Sequence, residues 1–378
     1  MIHVTAKAER IKMAHDRMDR MNRVKAWRLR RGPKDEPADD DAASAGKPPV
    51  EAVSVPVPPP PPDDRGRTLR LAGWLAAVTL AGVVAAGTIW ASGSPTEAGL
   101  REEAGLVGKH ELLIGVKDDS PGVSWWNPET GRYEGFDIDI AYMVAAELGF
   151  SPRQVRFLAI ETEDRGKMQA MDREGGFVTV DLVVATYSVT AERTGEVYMS
   201  EPYLQTEQTV VTRSDHEKVS SLGDLAGEKV CTLAESTSAD QLKQAGAADV
   251  GKKNRISECV DGVLAGEYHA VTTDAAILAG FVAKHSNELR AHDVGLAAAE
   301  RWGIATGRNR ALRTLVNLAL YRSYADPEDR RWEKAFDDYL APLQQAEGMA
   351  RIQQVAVAEQ PSIDEPDVRR WPWERDVS

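Results

Sequence analysis

The sequence predicts an α/β protein preceded by a single transmembrane helix, and three observations carry that expectation. From Leu112 onward, short β-branched runs alternate with helical patterns, which predicts parallel sheets with helices on both faces. Ahead of them, Leu71–Trp90 is a run of 20 residues without a charge, spanning ~30 Å at about 1.5 Å per residue, the thickness of a hydrocarbon core. The charge is also divided: the net −13 splits into +4 over residues 1–70 and −17 over the rest, which suggests two compartments or two partners.

Residues 1–34 read as a basic amphipathic cytoplasmic segment. Ile11, Ala14, Met18 and Met21 share a face, with Arg17, Arg20, Arg23 and Lys25 around them, a pattern that suits a membrane surface, a partner, or simply a solvated helix. Residues 35–70 turn acidic and proline-rich, ending near Pro58–Pro62, and are expected to be a disordered linker. Residues 71–90 form the expected transmembrane helix, with Trp74 and Trp90 near its ends. Arg65, Arg67 and Arg70 precede it, and Glu97, Glu102 and Glu103 follow it. The positive-inside rule then puts the amino terminus in the cytoplasm and the remainder outside the cell membrane. A cleaved signal peptide is the competing reading, but its apolar core is normally only about 7–15 residues with a short leader. No cysteine follows the run, so a lipoprotein anchor is not expected.

Residues 91–108 read as a tether. In the body, Leu112–Val116, Val155–Ala159, Leu182–Ala185, Lys229–Leu233 and Ala270–Thr273 read as strands. Asp137–Leu148, Thr237–Gln244, Glu258–Ala265 and Ala275–Lys284 read as helices. Asn309–Leu340 is mostly helical with a break at Pro327, and the tail 346–378, with its Arg369–Trp373 patch, is expected to be mostly disordered.

A pI near 5.2 argues against nucleic acid as a partner. Two cysteines cannot build a multi-cysteine metal site, the seven histidines are scattered, and neither a His-Glu-x-x-His nor a nucleophile-elbow pattern occurs, so no metal, cofactor or catalytic group is expected. Outside the cell an even pair of cysteines defaults to a bridge, so Cys231 and Cys259 are expected to form a disulfide, with two reduced core thiols as the alternative.

Gly135-Phe136-Asp137-Ile138-Asp139-Ile140 opens the first long helix, where Asp137 can cap the amino terminus and Ile140, Val144 and Leu148 recur every fourth residue. This stretch resembles the signature of the family 3 bacterial extracellular solute-binding proteins. The resemblance continues through Asp181-Leu182-Val183-Val184-Ala185-Thr186-Tyr187-Ser188-Val189-Thr190-Ala191-Glu192-Arg193, the crossover Ser200-Glu201-Pro202-Tyr203, and Thr272-Thr273-Asp274 with Ile277-Leu278-Ala279-Gly280. It covers residues 109–345 and implies a two-lobed periplasmic-binding-protein fold of type II with a two-crossover hinge. Lobe one would hold residues 109–206 and 297–345, and lobe two 207–296.

The resemblance also implies a ligand set. Arg193, with Thr186 and Ser188 beside it, would take an amino acid's α-carboxylate, as suits a planar guanidinium beyond the carboxyl end of a strand; an exposed turn arginine is the plainer reading. Asp274 would accept the α-ammonium or merely cap a helix. Ser236 and Thr237, at a helix start, would complete the carboxylate clamp or serve as ordinary caps. Lys117 and Arg165, in the expected helical segment Glu163–Met171, would meet a side-chain carboxylate, which favours glutamate, or remain solvated charges. Asp118 departs from the family pattern and, with Asp119, can neutralise Lys117. Trp125 and Trp126 would cover the ligand or pack in the core. The implied function is amino-acid binding for an ABC importer with permease partners; the alternative is a sensor that signals to a cytoplasmic partner through residues 1–70. Some lytic transglycosylases and dehydratases use the same fold, but the former need an appended lysozyme-like domain for which this sequence leaves no room, and no enzymatic activity is expected.

Overall fold

The computed structural model describes residues 65–91, 93–172, 174–247, 249–295, 300–350 and 354–369, apart from the side chains of 65–68 and 85–91. Two units divide the chain, Met1–Ala76 and Ala77–Ser378. The expected amphipathic segment 1–34 and the linker up to residue 64 lie outside the described residues, as does most of the Arg369–Trp373 patch.

Helix α1 runs Arg65–Ala91, so the last six residues assigned to the linker are helical. Its described large apolar side chains, from Leu69 and Leu71 through Trp74 and Leu75 to Val83 and Val84, are all exposed. Among the described residues no helix is long and apolar enough to cross a membrane. The described side chains of α1 stop at Val84, so the expected span 71–90 is covered over only part of its length.

Within the second unit the elements follow in order as α2 (Glu97–Glu103), β1 (Leu112–Val116), β2 (Asp119–Ser120), β3 (Ser124–Asn127), β4 (Arg132–Glu134), α3 (Phe136–Glu147), β5 (Val155–Ala159), β6 (Gln169–Met171), β7 (Phe177–Thr179), β8 (Leu182–Val183) and α4 (Ala191–Glu196). Next come β9 (Leu204–Thr206), β10 (Gln208–Arg213), β11 (Lys229–Leu233), α5 (Thr237–Gln244), β12 (Asp249–Lys253), α6 (Ile256–Leu264), β13 (Ala270–Asp274), α7 (Ala275–Lys284), β14 (Leu289–His292), β15 (Glu300–Trp302), α8 (Arg310–Ala325) and α9 (Arg331–Tyr339).

These elements form two lobes. The first is built on a sheet of order β7-β6-β5-β1-β8. There β1 runs parallel to β5 and β8, while β6 and β7 are antiparallel. Leu112, Ile114 and Val116 of β1 are fully buried, as are Phe136, Ile140 and Val144 of α3. The second lobe has the order β12-β11-β13-β10-β14, with β11 parallel to β12 and β13 and β10 antiparallel to β13 and β14. β9 and β15 pair antiparallel as a short ribbon between the lobes. Both sheets are thus mixed rather than parallel. The departures are the β5–β6–β7 pairings in the first lobe and the β13–β10–β14 pairings in the second.

Two further expectations are corrected. The segment Glu163–Met171 is not helical: a single 3-10 turn, Thr162–Asp164, leads into β6. The tail is not disordered over 354–369. Val355, Ala356 and Ile363 are buried in the core, Ala356 bridges to Thr206, and Val357 N donates to Gln205 O at 2.8 Å. The tail backbone pairs along the free edge of β9, where Thr206 Oγ1 also donates to Val355 O at 2.5 Å. The disulfide forms as expected between Cys231 of β11 and Cys259 of α6, with Cα atoms 5.4 Å apart.

Candidate functional site

After β8 the first-lobe chain turns through Thr186, which takes φ +48°, a left-handed conformation that a β-branched side chain rarely adopts. Its neighbours hold it there. Thr186 N donates to Asp137 Oδ2 at 3.0 Å, and its carbonyl accepts from Arg165 Nη1 at 3.0 Å. Strain maintained this way concentrates at functional sites. Asp137 therefore does not cap α3, as its position suggested; Gly135 is the N-cap residue. The carboxylate turns inward, also accepting from Tyr203 Oη at 2.9 Å. Burial pushes its pKa up to about 7, against the pull of those two hydrogen bonds.

Arg165 is buried, with Nε on Thr162 O at 3.1 Å and Nη1 also on Ala185 O at 3.1 Å. Arg193 sits in α4, half-buried, with Nη1 on Ser188 O at 3.0 Å and Nη2 on Glu235 O of the second lobe at 2.9 Å. Both guanidinium carbons lie over the Tyr187 ring, 4.7 and 4.8 Å from its centroid. Among the described residues neither arginine has a carboxylate within ion-pair distance: each holds only carbonyls and the ring face. Burial and then the neighbouring Arg193 lower the pKa of Arg165 to about 9, which leaves it cationic at neutral pH.

Across the cleft, β13 ends at Asp274. It occupies the N-cap position of α7 without a side-chain cap hydrogen bond. Instead Oδ2 accepts from Trp302 Nε1 at 2.6 Å. Burial first, then the Glu300 carboxylate, raise its pKa to about 7, opposed by Trp302, Arg165 and Arg193. Ser236 does cap α5: its Oγ accepts from Ala239 N at 3.2 Å and donates to Leu233 O at 2.7 Å. Thr237 is the first residue of that helix, two beyond the carbonyl that Arg193 grips.

Lys117 is buried rather than solvated. Its Nζ donates to Ile160 O at 3.2 Å, Thr162 Oγ1 at 3.4 Å and, in the second lobe, Asn254 O at 3.3 Å. Burial lowers its pKa, against Asp119 and Glu161. Thr162 also bonds Arg165, so the two basic residues expected to act together do share a neighbour. Asp118 makes its direct ion pair with Arg255 at 2.8 Å, while the carboxylate within ion-pair distance of Lys117 is that of Glu161, at 3.9 Å. Asp119 Oδ2 accepts from Ser257 N at 3.1 Å and Ser257 Oγ at 3.2 Å. Trp126 is exposed and packs edge-on against Tyr133.

The structure thus gathers Arg193, Ser188, Thr186 and Arg165 from the first lobe and sets them with Asp274, Ser236 and Thr237 of the second. Tyr187, Thr162, Arg255, Glu300 and Trp302 were not singled out in the sequence. Nothing periodic marks them, although Tyr187 stands between two residues that were. A cavity of about 430 Å³ in the first lobe, bordered by Lys167, Glu196 and Arg308 among others, contains none of the site residues. Its charged borders are solvated, whereas the cleft between the lobes is closed by direct contacts.

Two lobes joined by a hinge ribbon, with charged groups converging on the cleft, define a ligand-capturing binding protein that closes around its cargo. The chain belongs to the bacterial extracellular solute-binding proteins, family 3, whose family model matches residues 112–355. It is 31% identical over 272 residues to the glutamate-binding protein GluB of Corynebacterium efficiens, covering 68% of this chain and 88% of that one. It is 28% identical over 260 residues to the ABC transporter glutamine-binding protein GlnH of Bacillus subtilis, covering 67% and 92%. Among solved structures, an ancestral arginine-binding protein bound to glutamine superposes with a TM-score of 0.54 at 27% identity, covering 61% of this chain and 97% of that one.

Proposed function

We propose that this protein captures an amino acid, glutamate or a related acidic or amide amino acid, between its closing lobes without chemical change. The observation that carries the reading is the pair Arg165 and Arg193 on one tyrosine ring, with no carboxylate partner among the described residues, facing a buried Asp274 in the other lobe. Two neighbouring cations in a closing cleft repel each other until an anion joins them, and a carboxylate accepts paired charge-assisted bonds from a guanidinium. In this reading the α-carboxylate lies on Arg193 with Ser188, Thr186, Ser236 and Thr237, and the α-ammonium lies on Asp274. Arg165 and Lys117 meet the distal group, in keeping with the resemblance to the glutamate-binding GluB. Calorimetry of the intact protein against each common amino acid tests it: micromolar or tighter binding of glutamate is expected, and a protein that binds sugars or metals but no amino acid sinks the reading.

The binding protein would serve an ABC importer, anchored to the outer face of the cell membrane by the apolar run 71–90, whose described large side chains are all exposed. Protease added to spheroplasts should then remove the lobes and spare an amino-terminal tag. A sensor is the second reading, and one contact favours it. The tail that pairs with Gln205 and Thr206 at the hinge continues to Arg369, whose N and Nε donate to Pro95 O at 2.9 Å and Ser94 O at 3.1 Å, just past α1. Such a strap joins the hinge to the chain leaving the anchor. Uptake lost on deletion with its permease intact supports import, whereas an altered cytoplasmic output without transport supports sensing.

A further inference from the structure

Strand β15 lies between the lobes and touches the chemistry of both. On one edge Trp302 pairs with Leu204 of β9. On the other its backbone bridges to Ser188, with Val189 N donating to Arg301 O at 2.8 Å and Gly303 N to Tyr187 O at 2.9 Å. The close fit requires glycine at 303, since a Cβ there would lie 2.6 Å from Val189 Cγ2 and 3.1 Å from Ser200 O. The Trp302 side chain is fully buried and points the opposite way in function: its indole N–H ends on Asp274 Oδ2 at 2.6 Å. One residue of the hinge strand therefore holds the backbone beside the carboxylate-binding arginine and the carboxylate of the second lobe. The indole also supplies the hydrogen bond that a helix cap would have provided, because Asp274 makes none to α7.

We infer that Trp302 is a positioning residue for amino-acid binding, fixing the Asp274 carboxylate that receives the ligand's ammonium at a set spacing from the Ser188–Arg193 carboxylate clamp. The inference rests on the amino-acid reading above. It distinguishes the two carboxylates of this hinge region: Asp274 is held by an indole, while Glu300 is met by Gln241 Nε2 at 3.4 Å. The charged groups acting on Asp274 are Glu300 from the hinge strand and Arg165 and Arg193 from the first lobe, and the indole bond favours the ionised form against burial and Glu300.

Trp302→Phe in the full chain removes the N–H and keeps an aromatic ring. Glutamate affinity should fall on the order of tenfold to a hundredfold, the range for a hydrogen bond to a charged group. Glutarate, which has no ammonium, should lose little. The acid limb of the glutamate-binding profile should move to higher pH, which loss of packing alone would not cause. In an Asp274→Asn background the same substitution should cost nothing further. Equal losses for glutamate and glutarate, an unmoved acid limb, or a full loss in the Asp274→Asn background would overturn the inference. Should Trp302→Phe fail to fold, ¹⁵N-indole spectra of wild type and Asp274→Asn decide instead: one indole signal should titrate with acid in wild type and stay fixed in the variant, and identical titrations refute the contact. Wild-type protein that binds no amino acid removes the amino-acid reading and the ammonium role with it, whereas normal wild-type binding with an unaffected Trp302→Phe removes this inference alone.

Discussion

Arg255 of the second lobe meets Asp118 of the first at 2.8 Å and reaches Glu161 of the same lobe at 3.6 Å. With Ser257 on Asp119 and Arg193 on the Glu235 carbonyl, this pair draws the two lobes together directly, protein on protein. A contact made only when the lobes meet favours the closed state, and the fraction of closed molecules scales the apparent affinity.

Arg255→Ala should therefore open the ligand-free protein and weaken every ligand alike. The pair is partly solvated, with side chains 33% and 22% exposed, so the loss is modest, about two- to tenfold, in the range of about 0.2–1 kcal/mol for exposed pairs and somewhat more for shielded ones. Small-angle scattering of the ligand-free variant should show a larger radius of gyration; an unchanged one argues that the latch contributes nothing.

Arg193→Ala removes the cation that, in the proposed reading, holds the α-carboxylate. Leaving one partner of a desolvated charge pair alone costs about 2–5 kcal/mol, roughly 30- to several-thousand-fold. Glutamate and glutamine should weaken together, and normal binding by the variant would mean the site lies elsewhere.

Lys117→Met keeps an apolar stem and deletes the ammonium. Glutamate should lose much more than glutamine, because only the first presents a charged distal group. The variant also strips a donor from Ile160 O and Asn254 O, so some loss common to both ligands is expected. A glutamate-to-glutamine ratio that does not move shows that Lys117 supports the cleft without choosing the ligand.

Binding should weaken in acid. Asp274 is held near pKa 7 by burial and Glu300, and a protonated acid cannot pair with an ammonium, so affinity should fall as pH drops below about 7. Fold stability has the opposite sign. Asp137 also titrates near 7 when folded, against ~3.9 unfolded. The folded state thus binds the extra proton between those values, and this contribution to stability, full below pH ~4, is lost as pH rises through about 7. Chemical denaturation across pH in wild type and Asp137→Asn separates the two trends.

Reducing the Cys231–Cys259 bridge releases residues 28 apart, a closure worth roughly 3–4 kcal/mol in the chain-entropy picture. The melting temperature of the two-lobed body should fall on the order of 10 °C under reductant, at about 2–4 °C per kcal/mol for a body of that size. A melting curve insensitive to reductant, with both thiols alkylated in native protein, refutes this.

The sequence by itself determined the local structure wherever the code is local. Strands β1, β5 and β11 and helices α5 and α7 fall where the apolar and β-branched runs put them, because short apolar runs bounded by polar and turn residues mark buried elements locally. The family was legible too, since its motifs keep Thr186, Ser188 and Arg193 within a few residues of one another. What only the tertiary structure decided is everything set by partners distant in sequence. β10 and β14 take their antiparallel direction from the lobe they enter, and residues 354–369 owe their order to an edge of the hinge some 150 residues earlier. Asp137 left the cap its position suggested because a buried turn at Thr186 offered its carboxylate a better donor. Asp118 makes its direct ion pair with Arg255, which no spacing announces. Trp302 and Asp274 are 28 residues apart and lie on separate strands; their hydrogen bond exists because two crossovers bring both lobes to one seam, and a desolvated charge takes the nearest donor available there.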